Sequence, residues 1–435
     1  MAFRHAGVSP IESEGADNAS IVKNQLQNFY FSLQMHGMKK SHRPKDWLEA
    51  FFMLEQLLQE KDTGERQVIF LDELPWLDTP GSRFITAFEG FWTNWACHRK
   101  NIMLIVCASA TAWILGKQIS KNEKLYKLFT YEIKLSPFTL SECKEFLDSK
   151  NISLSLYDIA QSYMILGGVP FYFGYLEKGL SLAQGIDKIF FQKNAKLRDE
   201  YDRLFDSGFS SPGAIKAIVQ ALYTRNAGLT RREIVEKLKI TDSGHLSKHL
   251  KALIASDFVL EYVPFGLGKR ETHYKLVDPF CMFCLKFVNG KNAMDETFWQ
   301  QSLSSQSVIS WRGFAFENVC FNHIAQIKNK LGISGVATKQ SVWSKRADDT
   351  EGAQIDMIIE RGDNVVNMCG IKFWGDDFTV SKEYNRTLVR RQELLSHFIH
   401  KKSIIRNTLI TTFGLTYNEY SGSFTDTITL EDLMN

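Results

Sequence analysis

Long apolar stretches are missing from this 435-residue sequence, although apolar residues make up 44% of it. The longest apolar-leaning run, Met103 to Leu115, spans 13 residues and is interrupted by Ser109 and Thr111. A bilayer-spanning helix needs about 20 apolar residues, so the sequence excludes one and no membrane partner is expected. No apolar signal region follows the first charged residues, so no secretory targeting is expected either.

The sequence also contains few cysteines. The seven cysteines, an odd number, lie mostly in apolar stretches, which predicts reduced core thiols in a cytoplasmic protein. Cys281 and Cys284 form a lone Cys-x-x-Cys pair, and without a second pair at zinc-finger spacing they favour two core positions of a helix.

The net charge is only +3, but residues 220–275 hold ten basic and six acidic side chains. This local excess predicts an anionic partner for that segment.

The first part of the chain, 1–135, shows the strand, helix, strand order of an α/β sheet. The unbroken apolar runs Gln67–Leu71 and Asn101–Ala108 are typical of strands buried on both faces of a parallel sheet, and an aromatic-rich helix is predicted between them. The first twenty residues are polar and small, which favours a loose start rather than an opening strand.

Three further parts follow along the chain. Residues 136–212 show helical periodicity and contain a Gly-Gly-Val-Pro break, which predicts a small helical domain. Residues 213–288 predict a helix, a turn, a second helix and a β-hairpin, the order of a winged helix. After a polar connection, residues 308–435 predict a second α/β domain that opens with a helix over Trp311–Ile327.

The end of the first buried strand carries a pair of acids that fits a Walker B motif. Val68-Ile69-Phe70-Leu71 is followed directly by Asp72 and Glu73. A carboxylate at the carboxyl end of such a strand can hold the Mg²⁺ that bridges two phosphates, which assigns the metal to Asp72. A second carboxylate beside it can orient the attacking water, which assigns the catalytic base to Glu73. The alternative is two solvated acids that close a strand.

These features together resemble the prokaryotic AAA-type, STAND-like ATPases of the archaeal ATPase group. The resemblance covers nearly the whole chain and implies a P-loop NTPase core with a helical lid, a winged helix and a restriction-endonuclease-like C-terminal domain. It also implies ATP and Mg²⁺ as cofactors, Ser109 at the tip of the neighbouring strand as the sensor of the terminal phosphate, and assembly into a homo-oligomer. The matching motifs are Val68–Asp78, Phe91–Ala96, Val106–Ile114, Leu135–Leu140 and Gly167–Pro170.

Two departures from the family pattern concern the nucleotide. The phosphate loop, Gly-x-x-x-x-Gly-Lys-Ser/Thr, is absent from these 435 residues, so the backbone cradle and its lysine are missing. Lys127 stands where the family usually has an arginine, and lysine cannot make the bidentate contact of arginine. The expected fold class is therefore α/β, with a truncated P-loop/AAA-type core.

The winged-helix segment concentrates its basic residues on the predicted recognition helix and on the wing. This distribution predicts contact with DNA phosphates. The alternative is a packing module whose basic side chains are merely solvated. The candidate DNA-binding residues are Lys248, His249, Lys251, Lys269 and Arg270.

The C-terminal part resembles the PD-(D/E)xK endonucleases, with one metal ligand missing. Asp356 opens one strand, and Gly370-Ile371-Lys372 lies on the next, where the family commonly shows Glu-Ile-Lys. Both acids of such a site coordinate Mg²⁺, so this remnant predicts an inactive nuclease. The resemblance implies accessory roles for Glu317 and Gln392, and migration of the missing acid to Glu360 or Asp363 is the alternative.

Taken together, the sequence predicts a cytoplasmic AAA-type ATPase with a DNA-binding or regulatory role that is impaired in this chain. The alternative is a non-catalytic winged-helix DNA-binding or scaffold protein with degenerate ATPase and nuclease domains.

Overall fold

The computed structural model describes residues 2–9, 17–108, 128–209, 211–289, 295–345 and 353–435. The chain is a mixed α/β protein that divides into two compact units. The first comprises Met1–Ile133 with Ser207–Ser210, and the second comprises Lys134–Asp206 with Ser211–Asn435. The finer division at 1–135, 136–212, 213–288 and 308–435 stays a prediction. Within the described residues, no helix is both long and apolar enough to cross a bilayer.

The first unit is built on a three-stranded parallel sheet in the order β1-β2-β3. The predicted strands are β2 (Gln67–Asp72) and β3 (Ile102–Val106). The expected loose start is wrong, because β1 (Ala2–Ala6) pairs in parallel with β2, residue Ala6 opposite Asp72. The helices of this unit are α1 (Asn18–Met35), α2 (Trp47–Glu60), α3 (Leu74–Leu77) and α4 (Phe84–Asn94).

An aromatic core holds this sheet against its helices. Phe51 of α2 lies against Phe29, Trp47, Phe84 and the stacked ring of Phe91. All five rings are buried, and each contributes a large apolar area. The aromatic-rich sequence of α4 is thereby explained as core.

The second unit begins with helices that carry several side-chain caps. Thr139 and Ser181 form reciprocal capping boxes with the third residue of their helices. The elements are α5 (Leu140–Ser149), α6 (Leu156–Leu166), α7 (Pro170–Phe173), α8 (Leu182–Ile186) with a π-helical extension Asp187–Phe191, α9 (Glu200–Gly208) and α10 (Pro212–Tyr223).

A small three-stranded antiparallel sheet in the order β4-β6-β5 follows, with two helices between its strands. The turn between β5 and β6, which the sequence analysis predicts to be a wing and which is called the wing turn below, contains a single turn of 3-10 helix, Lys269–Glu271. The elements are β4 (Leu229–Thr230), α11 (Arg231–Leu238), α12 (Gly244–Ala255), β5 (Val259–Tyr262) and β6 (His273–Leu276). Next comes α13 (Pro279–Phe283) with a π-helical extension, in which Cys281 and Cys284 are buried free thiols.

The polar connection predicted before residue 308 is partly wrong, because it contains α14 (Phe298–Ser302) with buried Trp299. Buried Asp187 accepts hydrogen bonds from the backbone N–H groups of Trp299 (2.7 Å) and Gln300 (3.1 Å) and so caps this short helix.

The predicted helix Trp311–Ile327 is two helices, α15 (Gln306–Asn322) and α16 (Ile324–Lys330), separated at His323. His323 Nε2 accepts the N–H of Leu140 at 2.9 Å, which links this break to α5.

The chain ends in a five-stranded mixed sheet in the order β11-β10-β9-β8-β7. Strands β7, β8 and β9 pair antiparallel, and β9, β10 and β11 pair parallel. The elements are β7 (Thr338–Lys345), β8 (Ala353–Arg361), β9 (Val365–Lys372), α17 (Lys382–Ser396), β10 (Ile404–Thr411), β11 (Asp426–Ile428) and α18 (Leu430–Leu433).

Candidate functional sites

The acidic pair of the first unit lies where the central strand of the parallel sheet ends. Asp72 is the last residue of β2, and its Oδ1 accepts the N–H of Glu73 at 3.1 Å. Glu73 has φ 49° and ψ 49°, a left-handed conformation that is uncommon for a residue with a side chain. The turn is held by the N–H of Leu74, which donates to the carbonyl of Cys107 at 3.0 Å. The acids are therefore positioned by both neighbouring strands.

Cys107, just after β3, faces this pair. Burial raises the pKa of its thiol, and a hydrogen bond to Asp72 and the charges of Asp72 and Glu73 raise it further. The thiol therefore stays protonated at neutral pH and acts as a donor toward Asp72. Ser109, the proposed phosphate sensor two residues later, lies outside the described residues, as does Lys127.

Two residues that sequence reasoning missed fix this acidic turn from the side of β1. The N–H of Gly7 donates to the carbonyl of Asp72 at 3.1 Å, and a Cβ at Gly7 would come within 3.0 Å of the carbonyl of Glu73. Buried Gln25 donates to the carbonyls of Val8 (2.9 Å) and Trp76 (3.0 Å). β1 contains only one large apolar residue, Phe3, so the sequence showed no strand pattern from which these contacts could be expected.

A carboxylate pair at this position suits one divalent cation, since Mg²⁺ is usually bound by one or two carboxylates together with substrate oxygens. The nucleotide fits less well. Its phosphates need a cradle of backbone N–H groups, and the glycine-rich loop that forms one is absent from the sequence. The residues present therefore fit the metal and not the phosphates.

The structure brings together three of the four residues proposed for the nuclease-like remnant. Asp356 on β8 accepts the N–H of Ile371 at 3.1 Å, and the ammonium of Lys372 on β9 lies 3.7 Å from the same carboxylate. Glu317 on α15 is buried, and the charge of Asp356 acts on it. Gln392 on α17 has a different neighbour, because its Oε1 accepts from Asn407 of β10 at 3.2 Å.

Two residues from the small antiparallel sheet region complete this cluster, and neither was predicted. Lys275 on β6 is 1% exposed, and its Nζ donates to Oδ1 of Asn226 at 3.2 Å. Asn226 in turn donates to Glu317 at 2.8 Å. Burial raises the pKa of Glu317 to about 7, the charge of Asp356 adds to the rise, and Lys275 opposes it. The only sequence signal was a lysine beside the apolar pair Leu276-Val277.

The place of the missing acid is partly filled by a tyrosine. A Cβ on Gly370 would lie 2.8 Å from the hydroxyl of Tyr384 on α17. That hydroxyl is buried and has no hydrogen-bond partner among the described residues. Burial raises the pKa of Tyr384 to about 12, and the nearby Asp356 contributes. The acid expected at position 370 is a glycine, and Lys372 lies 3.7 Å from the remaining carboxylate of Asp356, so this cluster does not fit the Mg²⁺ of a nuclease.

The proposed DNA-binding residues lie on α12 and in the wing turn. Lys248, Lys251, Lys269 and Arg270 are exposed, whereas His249 is half-buried. Burial lowers the pKa of His249, and the neighbouring charges of His245 and Lys248 lower it further. This histidine is therefore neutral at pH 7 and adds no positive charge to the face.

The wing turn is anchored to the C-terminal sheet. Phe265 is 7% exposed and belongs to the same hydrophobic core as Trp343 of β7 and Ile355 of β8. Its N–H donates to the carbonyl of Val342 at 3.2 Å. One end of the wing turn is therefore fixed in the C-terminal core, while Lys269 and Arg270 remain in solvent.

No protein-family model and no curated protein matches this chain. Among solved structures, it is similar to the Walker-type ATPase PABY2304 of Pyrococcus abyssi, at 15% identity and a TM-score of 0.43, over 65% of this chain and 84% of that one. It is also similar to the ORC2 protein of Aeropyrum pernix, in ADPNP–ADP complexes, at 10% identity and a TM-score of 0.26, over 63% of this chain and 74% of that one. At these identities the likeness concerns the backbone alone.

Proposed function

We propose that this chain is an AAA-type regulator whose nucleotide-dependent activity is impaired. Its first unit supplies the metal-binding and water-orienting carboxylates, and a winged helix in its second unit contacts DNA. The observation that carries the first half is the acidic turn Asp72-Glu73 at the carboxyl end of the central parallel strand. Open α/β sheets bind their ligands at that end.

Asp72 and Glu73 have separate roles in this proposal. Asp72 holds the divalent cation through a half-exposed carboxylate at the strand end. Glu73, the next residue, would orient a water beside that cation and accept its proton. Because the chain lacks a phosphate cradle, these two carboxylates reach only the metal and the water, and Mg-ATP binding is expected to be weak.

The first experiment is Mn²⁺ binding and Mg-ATP titration calorimetry on the full chain and two variants. Asp72→Asn is expected to lose the Mn²⁺ site, whereas Asp62→Asn is expected to keep it. Asp62 is a matched control because it contacts Asn101 (2.9 Å), at the opposite end of the same strands. Mn²⁺ binding that survives Asp72→Asn would mean that the acids only close a strand. A Kd for Mg-ATP in the low micromolar range, abolished by Asp72→Asn, would contradict the weak binding expected here.

The DNA-binding half rests on the order of helices and hairpin over residues 229–276 and on the exposure of their lysines and arginine. In a winged helix the second helix enters the major groove while the wing contacts the backbone. Here α12 presents Lys248 and Lys251, and the wing turn presents Lys269 and Arg270. Asp242, the acid nearest the start of α12, is already paired with Arg231, so it repels phosphate less.

The second experiment measures duplex DNA binding by fluorescence anisotropy at several salt concentrations. The double variant Lys248→Ala, Arg270→Ala is expected to bind all sequences more weakly and to lower the salt slope by about 2, one for each phosphate contact. Lys144→Ala with Lys188→Ala is the charge-matched control, since both lysines are paired on the helical segment. Equal binding by the two double variants would contradict DNA contact by α12 and the wing.

A second candidate function, a non-catalytic scaffold, is favoured by the anchoring of the wing. Phe265 and Lys275 both connect the small antiparallel sheet to the C-terminal sheet, which is what a packing module requires. In either case we propose that the C-terminal domain does not cut DNA, because Gly370 replaces an acid and Tyr384 approaches its place. No carboxylate pair free of ammonium partners is then left there for a metal.

A further inference from the structure

The carboxylates of the C-terminal cluster share their surroundings with a lysine from another part of the second unit. Lys275 of β6 is 1% exposed, donates to Asn226 at 3.2 Å and lies 5.5 Å from the ring centre of Phe321. Asn226 in turn donates a hydrogen bond to Glu317 at 2.8 Å. Burial lowers the pKa of Lys275, and the charges of Glu317 and Asp356 oppose that change, as a buried ammonium requires.

The charges of the cluster balance without a metal. The cluster holds two carboxyl groups, Glu317 and Asp356, and two amino groups, Lys275 and Lys372. Transfer of a proton between the buried groups of Glu317 and Lys275 would not change their summed charge. Lys372 is paired with Asp356 at 3.7 Å, which leaves Lys275, through Asn226, as the cation for Glu317. A divalent ion added to this arrangement would meet two ammonium groups.

We propose that Lys275 is the resident cation of this cluster, an internal ammonium that takes the place of a divalent metal beside Glu317 and fastens the β5–β6 hairpin to helix α15. The lysine has this role whether or not the chain binds nucleotide or DNA. Asn226 also lines a cavity of about 550 Å³, so the network borders open space through which a small cation can reach it once the ammonium is removed.

The experiment is thermal unfolding of the full chain with and without Mn²⁺, in an Asp72→Asn background that removes the proposed metal ligand of the first unit. The parent is expected to show no shift of Tm with Mn²⁺. Lys275→Met is expected to lower the Tm by roughly 5–10 °C, because it leaves two buried carboxylates with one cation. Mn²⁺ is then expected to recover part of that loss.

Two further variants give the controls. Adding Glu317→Gln to Lys275→Met is expected to bring the Tm back toward the parent and to abolish the Mn²⁺ response. Lys286→Met, which removes an exposed lysine that also lines the cavity, is expected to change neither quantity. If Lys275→Met alone does not fold, recovery of folding in the double variant supports the charge pairing, and failure of both overturns it.

Three results would overturn the proposal. The first is a Mn²⁺ stabilisation of the parent that Glu317→Gln removes, because the site would then already be a metal centre. The second is a Tm for Lys275→Met equal to that of Lys286→Met. The third is a folded Lys275→Met chain that does not respond to Mn²⁺.

Discussion

Replacing Phe265 by alanine is expected to destabilise the second unit by about 3 kcal/mol. The side chain is 7% exposed and packs in the core that includes Trp343 and Ile355. Truncation of a fully buried phenylalanine costs about 3–5 kcal/mol, and the small residual exposure places the expected loss near the lower end. The backbone hydrogen bond to Val342 is kept in the variant, so the loss reports the side chain alone.

Amide hydrogen exchange is the suitable assay, because it gives the opening free energy of β8 and β9 separately from the first unit. Leu267→Ala is the matched control, two residues further along the same turn and 52% exposed. It is expected to change the opening free energy by less than about 0.5 kcal/mol. Equal effects of the two substitutions would refute the anchoring of the wing and favour a wing that is free to follow DNA.

Two further outcomes follow from the structure. The unaltered protein is expected not to nick supercoiled plasmid with Mg²⁺ or Mn²⁺; Gly370→Glu is expected to lower Tm through its contact with the Tyr384 hydroxyl, and Tyr384→Phe to recover it. Metal-dependent nicking by the unaltered protein would contradict the prediction that it does not cut DNA. The paired Arg225 guanidinium lowers the pKa of Glu233 from 4.5 to about 2, so its stabilisation is present above pH 4.5 and lost as pH falls toward 2. Glu233→Gln is expected to cost about 1–2 kcal/mol near pH 7, after discounting for solvent screening, and to flatten that acid dependence. Exposed Glu236→Gln on the same helix should leave unfolding curves from pH 2 to 7 unchanged.

The strands that the sequence predicted are those that are buried and therefore consist of an unbroken run of apolar residues. β2 lies between two strands, and its apolar run was recognisable for that reason. β1 has one partner strand and only one large apolar residue, Phe3; its other buried side chain is His5, which bonds to Ser32 at 2.9 Å. A buried histidine whose Nδ1 contacts a distant hydroxyl leaves no local pattern, so this strand could not be predicted.

The residues of the candidate sites also differ in whether they could be predicted from the sequence. Asp72 and Glu73 were recognisable because a local motif, a strand followed by two acids, places them. Lys275 was not, because its partners Asn226 and Glu317 lie 49 and 42 residues away in sequence and meet it only through tertiary packing. The break at His323 was missed for a related reason, since its ring is fixed by the distant N–H of Leu140.

The two acidic sites of this chain therefore have opposite electrostatic settings. Asp72 is half-exposed, and its described contacts are a backbone N–H and a thiol, both neutral donors that leave its charge available to a cation. Glu317 and Asp356 are buried. Lys372 lies 3.7 Å from Asp356, and in our proposal Lys275 compensates Glu317 through Asn226. Because metal affinity depends on uncompensated carboxylate charge, a divalent cation is expected to prefer the first unit.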